Sequence, residues 1–156
     1  MKSLVLSFLT TTILFFTLGC GGDASAPAAN SNGPKPKSML AEKADPLQDK
    51  GVGPITSVEL GATVDEAMAA HGKEVYAKMC MACHKPTEKF IGPAPKGILD
   101  RRSPEWVMNM ILNPEVMIKE NEIAKKLLME FNGSPMANQH LTQEEARAVL
   151  EYFRTL

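Results

Sequence analysis

The sequence predicts an all-α domain over residues 62–156, and three observations carry that expectation. Apolar residues in this region recur at three- and four-residue steps, helix-start signals stand in front of each such stretch, and no run alternates with the two-residue period of a strand. The first helix is expected from the capping-box spacing of Thr63 and Glu66, with Val64, Met68, Val75, Tyr76 and Met79 as its apolar positions and an end near Cys80. Lys85–Leu99 is rich in proline and glycine and reads as a loop. Ser103 followed by Pro104 starts a second helix, striped by Trp106, Val107, Met110 and Ile111. Asn113 and Pro114 restart the chain into a helical stretch through about Phe131, which Asn132 and Gly133 stop. Thr142 and Glu145 form a second capping box, behind which Ala146, Val149, Leu150, Phe153 and Leu156 mark a final amphipathic helix. No internal repeat is visible.

The chain has 156 residues, room for one ordinary domain plus appendages. Seventeen basic and 18 acidic residues give a formal charge of −1, so no basic field exists to hold nucleic acid. The apolar share of 44% and charged share of 22% exclude both a multi-span membrane protein and a wholly disordered chain. The three cysteines, Cys20, Cys80 and Cys83, are too few for a disulfide scaffold and divide into one isolated residue and one close pair.

At the N-terminus, Met1, Lys2 and Ser3 precede an uncharged run from Leu4 to Leu18 that Gly19 and Cys20 close. The run is shorter than the roughly 20 apolar residues of a spanning helix. The pattern resembles a bacterial lipoprotein signal, which implies removal of residues 1–19 and lipidation of Cys20. An uncleaved anchor is the alternative, and either tethers the chain to a membrane. Residues 20–61 lack a sustained apolar period, and between Gly21 and Ser57 stand five glycines and five prolines. That composition predicts a mobile linker.

Cys80, Met81, Ala82, Cys83 and His84 read C-x-x-C-H, the attachment pattern of c-type haem. Two cysteines so spaced reach the two vinyl-derived positions of one porphyrin, and the adjacent histidine supplies the proximal imidazole. A thioredoxin-like redox pair would open a helix after a strand, whereas this pair follows a predicted helix. A zinc site would need a second ligand cluster, and only His71 and His140 remain.

The region from residue 62 onward resembles the small class I cytochromes c. Gly72, Tyr76, Cys80, Cys83 and His84 stand at the family's G-x-x-x-aromatic-x-x-x-C-x-x-C-H spacing, and Tyr152 matches the aromatic at the crossing of the terminal helices. The resemblance implies a cytochrome c fold, helices wrapped around one covalently attached haem c. It also implies Met136, in the loop before the final helix, as distal iron ligand beside proximal His84. A loop residue covering the haem edge without coordinating is the alternative reading of Met136, and His140 is its rival. Met108, Met110, Met117 and Met129 lie at helical spacings that suit packing. Gly92-Pro93 matches the family's G-P, which makes the Pro93 carbonyl the expected acceptor from the proximal imidazole. Arg101, Arg102 and Trp106 are further candidates to meet haem propionates, although a solvated arginine pair and a core tryptophan are the ordinary roles of such residues.

A haem iron saturated by His84 and Met136 implies an electron carrier and no enzyme. The expected partners are redox proteins of a respiratory chain, a quinol-oxidising complex as donor and a terminal reductase or oxidase as acceptor. The expected place is the bacterial cell envelope, lipid-anchored to a membrane with the haem domain in the periplasm. Phe90–Gly97 and Phe131–Met136 are similar to cytochromes found with nitrous oxide reductase systems, which implies that reductase as a candidate acceptor. The alternatives are a haem enzyme or gas sensor with an open or displaceable sixth position, and a haem subunit of a larger oxidoreductase.

Overall fold

The computed structural model describes residues 45–156. The expected signal, the lipidation site Cys20 and the N-terminal part of the expected linker lie outside the described residues. Five helices follow in order: α1 (Glu66–Met79), α2 (Pro104–Leu112), α3 (Pro114–Glu120), α4 (Glu122–Glu130) and α5 (Gln143–Phe153), with a short 3-10 turn at Ile98–Asp100 before α2. No strand occurs among the described residues, and none of their helices is long and apolar enough to cross a membrane.

Helix α1 starts at Asp65, two residues after the expected Thr63: the Asp65 carboxylate accepts from the Met68 amide at 2.9 Å. Residues 61–63 are instead held against the end of α5, where Arg154 donates to the carbonyls of Gly61 and Thr63. The α1–α5 crossing is close because Gly72 lies on the Ala148 carbonyl. A Cβ at position 72 would stand 2.8 Å from the Val149 amide nitrogen and nearer still to Ala148. Beside that contact Tyr76 stacks on Tyr152 at 5.3 Å between ring centroids and meets Phe153 edge-on at 5.7 Å. Glycine and aromatics thus meet where the sequence places the crossing of the terminal helices.

Ser103 caps α2 and Thr142 caps α5 with a complete capping box, as expected from the sequence. The stretch from Pro114, expected as one helix, breaks at Asn121 into α3 and α4. Asn121 adopts an extended ψ of 124° and recaps the chain, its side-chain oxygen accepting from the Ala124 amide at 3.0 Å. Helix α4 then ends through Asn132 and Gly133, both at positive φ, with the Gly133 amide bonded to the Leu128 carbonyl.

A second correction concerns residues 45–61. Expected as part of a mobile linker, they lie as a strap along α2 and α3. Ile55 is buried, and Val52, Val58 and Leu60 pack against the core. The strap's own polar backbone is satisfied by buried side chains: Asn109, 1% exposed, accepts from the Ile55 amide at 2.9 Å and donates to the carbonyls of Lys50 and Ile55. Ser103 Oγ donates to the Asp49 carbonyl at 2.6 Å, and the Met117 sulfur receives the Val52 amide. A strap without secondary structure can be ordered when its amides and carbonyls find such partners.

Candidate functional site

Helix α1 ends at Cys80, and the next turn bonds back on itself, the amides of Cys83 and His84 both meeting the Cys80 carbonyl. This turn places Cys80, Cys83 and His84 in the wall of a cavity that Met136 also lines. Met110, Trp106 and Val107 of α2, Leu127 and Leu128 of α4, and Val149 and Phe153 of α5 complete its largely apolar walls. Burial pushes the Cys80 thiol up to about 11, with Cys83 adding to the effect.

His84 is fixed from two directions. Its Nδ1 lies 2.8 Å from the Pro93 carbonyl, which can only accept, so Nδ1 carries the proton and Nε2 keeps its lone pair. Gly92 lies flat against the ring. A Cβ there would come within 2.7 Å of Nδ1 and 2.9 Å of Nε2, so only glycine leaves the imidazole its place. The Tyr76 hydroxyl donates to the His84 carbonyl at 2.8 Å. Burial chiefly, with the neighbouring Cys80 and Tyr152, pushes the Tyr76 phenol up to about 12, so it remains a donor through the ordinary pH range.

Met136 lines the same cavity, half-buried and packed against the core. His140 does not line it. Together with His71, Glu74 and Glu145 it borders a second surface cavity between α1 and the start of α5. The two spare histidines are thus brought near one another, yet no group of three or more potential metal ligands with metal-binding geometry occurs among the described residues. Of the methionines expected to pack, Met108 and Met117 are buried, Met110 lines the cavity, and Met129 is 75% exposed, outside the core.

The candidates for haem carboxylates separate in the structure. Arg101 spends its guanidinium on the carbonyls of Ala94, Lys96 and Gly97, which fastens the loop before the 3-10 turn. The Trp106 indole N–H donates to Asn121 Oδ1 at 3.1 Å. Arg102 borders the cavity with its guanidinium 5.2 Å from the Trp106 ring, and burial, then Arg101, lowers its pKa from the ordinary arginine value. Asn109, Asn121 and Asp49 escape sequence reasoning. The available signal was polar residues lying within the apolar stripes of α2 and at the α3–α4 junction.

A largely apolar cavity lined by two thiols, an imidazole and a thioether fits a porphyrin and its iron in donor set. Comparison with known proteins agrees. The family model for cytochrome c matches residues 69–156, and the chain belongs to the cytochrome c family. It is similar to a cytochrome c from Rhodothermus marinus, with 42% identity and a TM-score of 0.64 over 66% of this chain and 88% of the other. An engineered cytochrome c from Rhodothermus marinus aligns at 41% identity and a TM-score of 0.63, over 66% of this chain and 89% of its own. Another structure of an engineered cytochrome c from that organism, bound to a carbene intermediate, gives 41% and 0.61, covering 66% and 88%. No curated relative matches the chain. The cofactor is therefore one covalent haem c, for which Cys80 and Cys83 form the C-x-x-C-H pair, and the protein is a haem-based electron carrier whose partners are redox proteins.

Proposed function

We propose that this protein is a membrane-tethered monohaem cytochrome c that carries single electrons between respiratory redox partners on the periplasmic side of a bacterial membrane. The observation that carries this reading is the convergence of Cys80, Cys83, His84 and Met136 on one apolar cavity. Haem c supplies a one-electron iron couple when bound. His84 would hold the iron through Nε2, its ring fixed by the Pro93 carbonyl and by Gly92 against its face. Met136 would be the second iron ligand from the chain, supplying a soft thioether that favours ferrous iron. With His84 and Met136 both holding the iron, the chain would leave no coordination site for a substrate. The walls from α2, α4 and α5 are largely apolar, which limits reorganisation at the site.

The tether is Cys20, lipidated after removal of residues 1–19. Anchoring confines the search for partners to the membrane surface and raises effective concentration without a new contact. A quinol-oxidising complex is the donor of this reading and a terminal reductase or oxidase its acceptor, with nitrous oxide reductase the first candidate from the resemblance of Phe90–Gly97 and Phe131–Met136.

Three measurements test it. Alkaline pyridine gives a c-type haemochrome that acidified acetone fails to extract. The oxidised protein shows a low-spin spectrum with the sulfur-to-iron charge-transfer band, lost in Met136→Ala. Rapid mixing of the ferrous protein with candidate acceptors finds one that oxidises it within milliseconds. Absence of the haemochrome removes the whole reading, and a high-spin wild type removes Met136 as ligand.

One observation favours a second reading, a displaceable sixth ligand that admits small molecules to the iron. Among the described residues, positions 135–141 around Met136 make no backbone-to-backbone hydrogen bond. Carbon monoxide binding to the reduced protein without denaturant would establish that reading, and its failure would leave the carrier.

A further inference from the structure

Trp106, the single tryptophan of the chain, is 3% exposed and forms part of the cavity wall. Its indole N–H donates to Asn121 Oδ1 at 3.1 Å, and that oxygen also accepts from the Ala124 amide at 3.0 Å. The other end of the Asn121 amide, Nδ2, donates to both carboxylate oxygens of Asp49, at 3.0 and 2.8 Å. Asp49 belongs to the strap, and its own position is pinned: its carbonyl accepts from Ser103 Oγ, and its carboxylate accepts from the Gly51 amide at 2.8 Å. The Arg102 guanidinium stands over the indole ring, 5.2 Å from its centroid.

Docking of the strap does not need the Asp49 side chain, because Asn109 already binds Lys50 and Ile55, and Ile55 supplies the apolar contact. What that carboxylate adds is orientation. An ionised carboxylate can only accept, so Nδ2 of Asn121 must face it and Oδ1 must face away. The amide oxygen is thereby aimed at the indole N–H.

We propose that Asp49 is a positioning residue for the haem pocket, fixing the Asn121 amide and through it the Trp106 indole, so that seating of the N-terminal strap sets the redox behaviour of the site. The inference rests on reading the cavity as the haem pocket. It assigns the strap a role in function and not only in stability. A fixed negative charge linked through Asn121 to the cavity wall at Trp106 would also favour the oxidised state of a haem held there, so its removal raises the midpoint potential.

The test uses the haem-loaded protein labelled with nitrogen-15, in which the single tryptophan gives one indole N–H resonance. In Asp49→Ala the solvent exchange of that proton accelerates at least about tenfold and the midpoint potential rises. In Asp49→Asn one side-chain oxygen remains to face Nδ2, so exchange returns to near the wild-type rate while the potential still rises. Wild-type exchange in Asp49→Ala overturns the proposal, as does a potential unmoved in Asp49→Asn. Should Asp49→Ala fail to accumulate as a haem protein, indole exchange in Asp49→Ser, which keeps a polar side chain and loses the carboxylate, decides in its place: acceleration upholds the proposal and the wild-type rate overturns it. Pyridine haemochrome assays on every variant keep the two readings apart. A normal haemochrome with an unaltered indole refutes the positioning role only, and a wild type without haemochrome refutes the haem reading.

Discussion

Gly92 is a residue whose side chain the site itself determines. Its missing Cβ is the space that the His84 ring occupies, and an added methyl would lie within 2.9 Å of two ring nitrogens. Gly92→Ala must rotate the imidazole or move the Gly92-Pro93 backbone, which breaks the 2.8 Å bond from Nδ1 to the Pro93 carbonyl. Overpacking of this kind costs about 1–3 kcal/mol. The expected outcome is a lower denaturation midpoint together with an altered Soret circular dichroism, measured on the purified haem protein. Tyr76 offers a milder case. Its hydroxyl ties α1 to the His84 carbonyl, so Tyr76→Phe keeps the ring stack and loses one hydrogen bond, about 1 kcal/mol in guanidinium unfolding. Because the phenol titrates only near 12, the loss is constant across neutral pH.

At the scale of elements, the α1–α5 contact combines a close backbone approach with a buried ion cluster. Glu151 is 1% exposed, accepts from the Asp65 amide at 2.9 Å, and pairs with Arg147 and Arg154. Burial pushes its carboxyl up, but the Asp65 amide and the two guanidinium groups outweigh burial and hold it below the ordinary glutamate value of 4.5. A carboxyl depressed on folding stabilises the folded state fully above that value, and the contribution is lost as pH falls through the folded one. Glu151→Gln therefore flattens the acid limb of a melting-temperature profile taken from pH 7 to pH 3, at the cost of a lower plateau near neutrality.

The legibility of these elements in the sequence differs for physical reasons. Helix α5 declares itself because Thr142 and Glu145 form its cap and its apolar residues recur at helical steps. The C-x-x-C-H turn and Gly72 are legible because each chemistry admits so few residue types. The strap was hidden because it is ordered by polar backbone meeting Asn109, and a periodicity search sees only glycine and proline there. The break between α3 and α4 was hidden because Asn121 acts as both cap and indole acceptor, a role set by residues distant in sequence.

For the whole molecule, charge is unevenly distributed along the chain. Residues 73–102, which carry the haem motif, hold seven basic and three acidic side chains, whereas residues 103–156 hold five basic and eight acidic. The net charge of −1 conceals that separation. An electron-transfer partner with an acidic face is oriented toward the haem-bearing segment, so the second-order rate constant falls as ionic strength rises. Stopped-flow measurements between about 10 and 200 mM salt span the range over which the screening length shortens enough to show it. A partner with a basic face gives the opposite slope.

The walls that α5 contributes have a further consequence for biogenesis. Val149 and Phe153 are synthesised more than sixty residues after Cys80, so a nascent chain displays both thiols long before its binding cleft can shut. A chain that stops short of α5 therefore leaves its thiols on an open half-shell, since the last helix supplies the missing wall and the partner against which Gly72 rests.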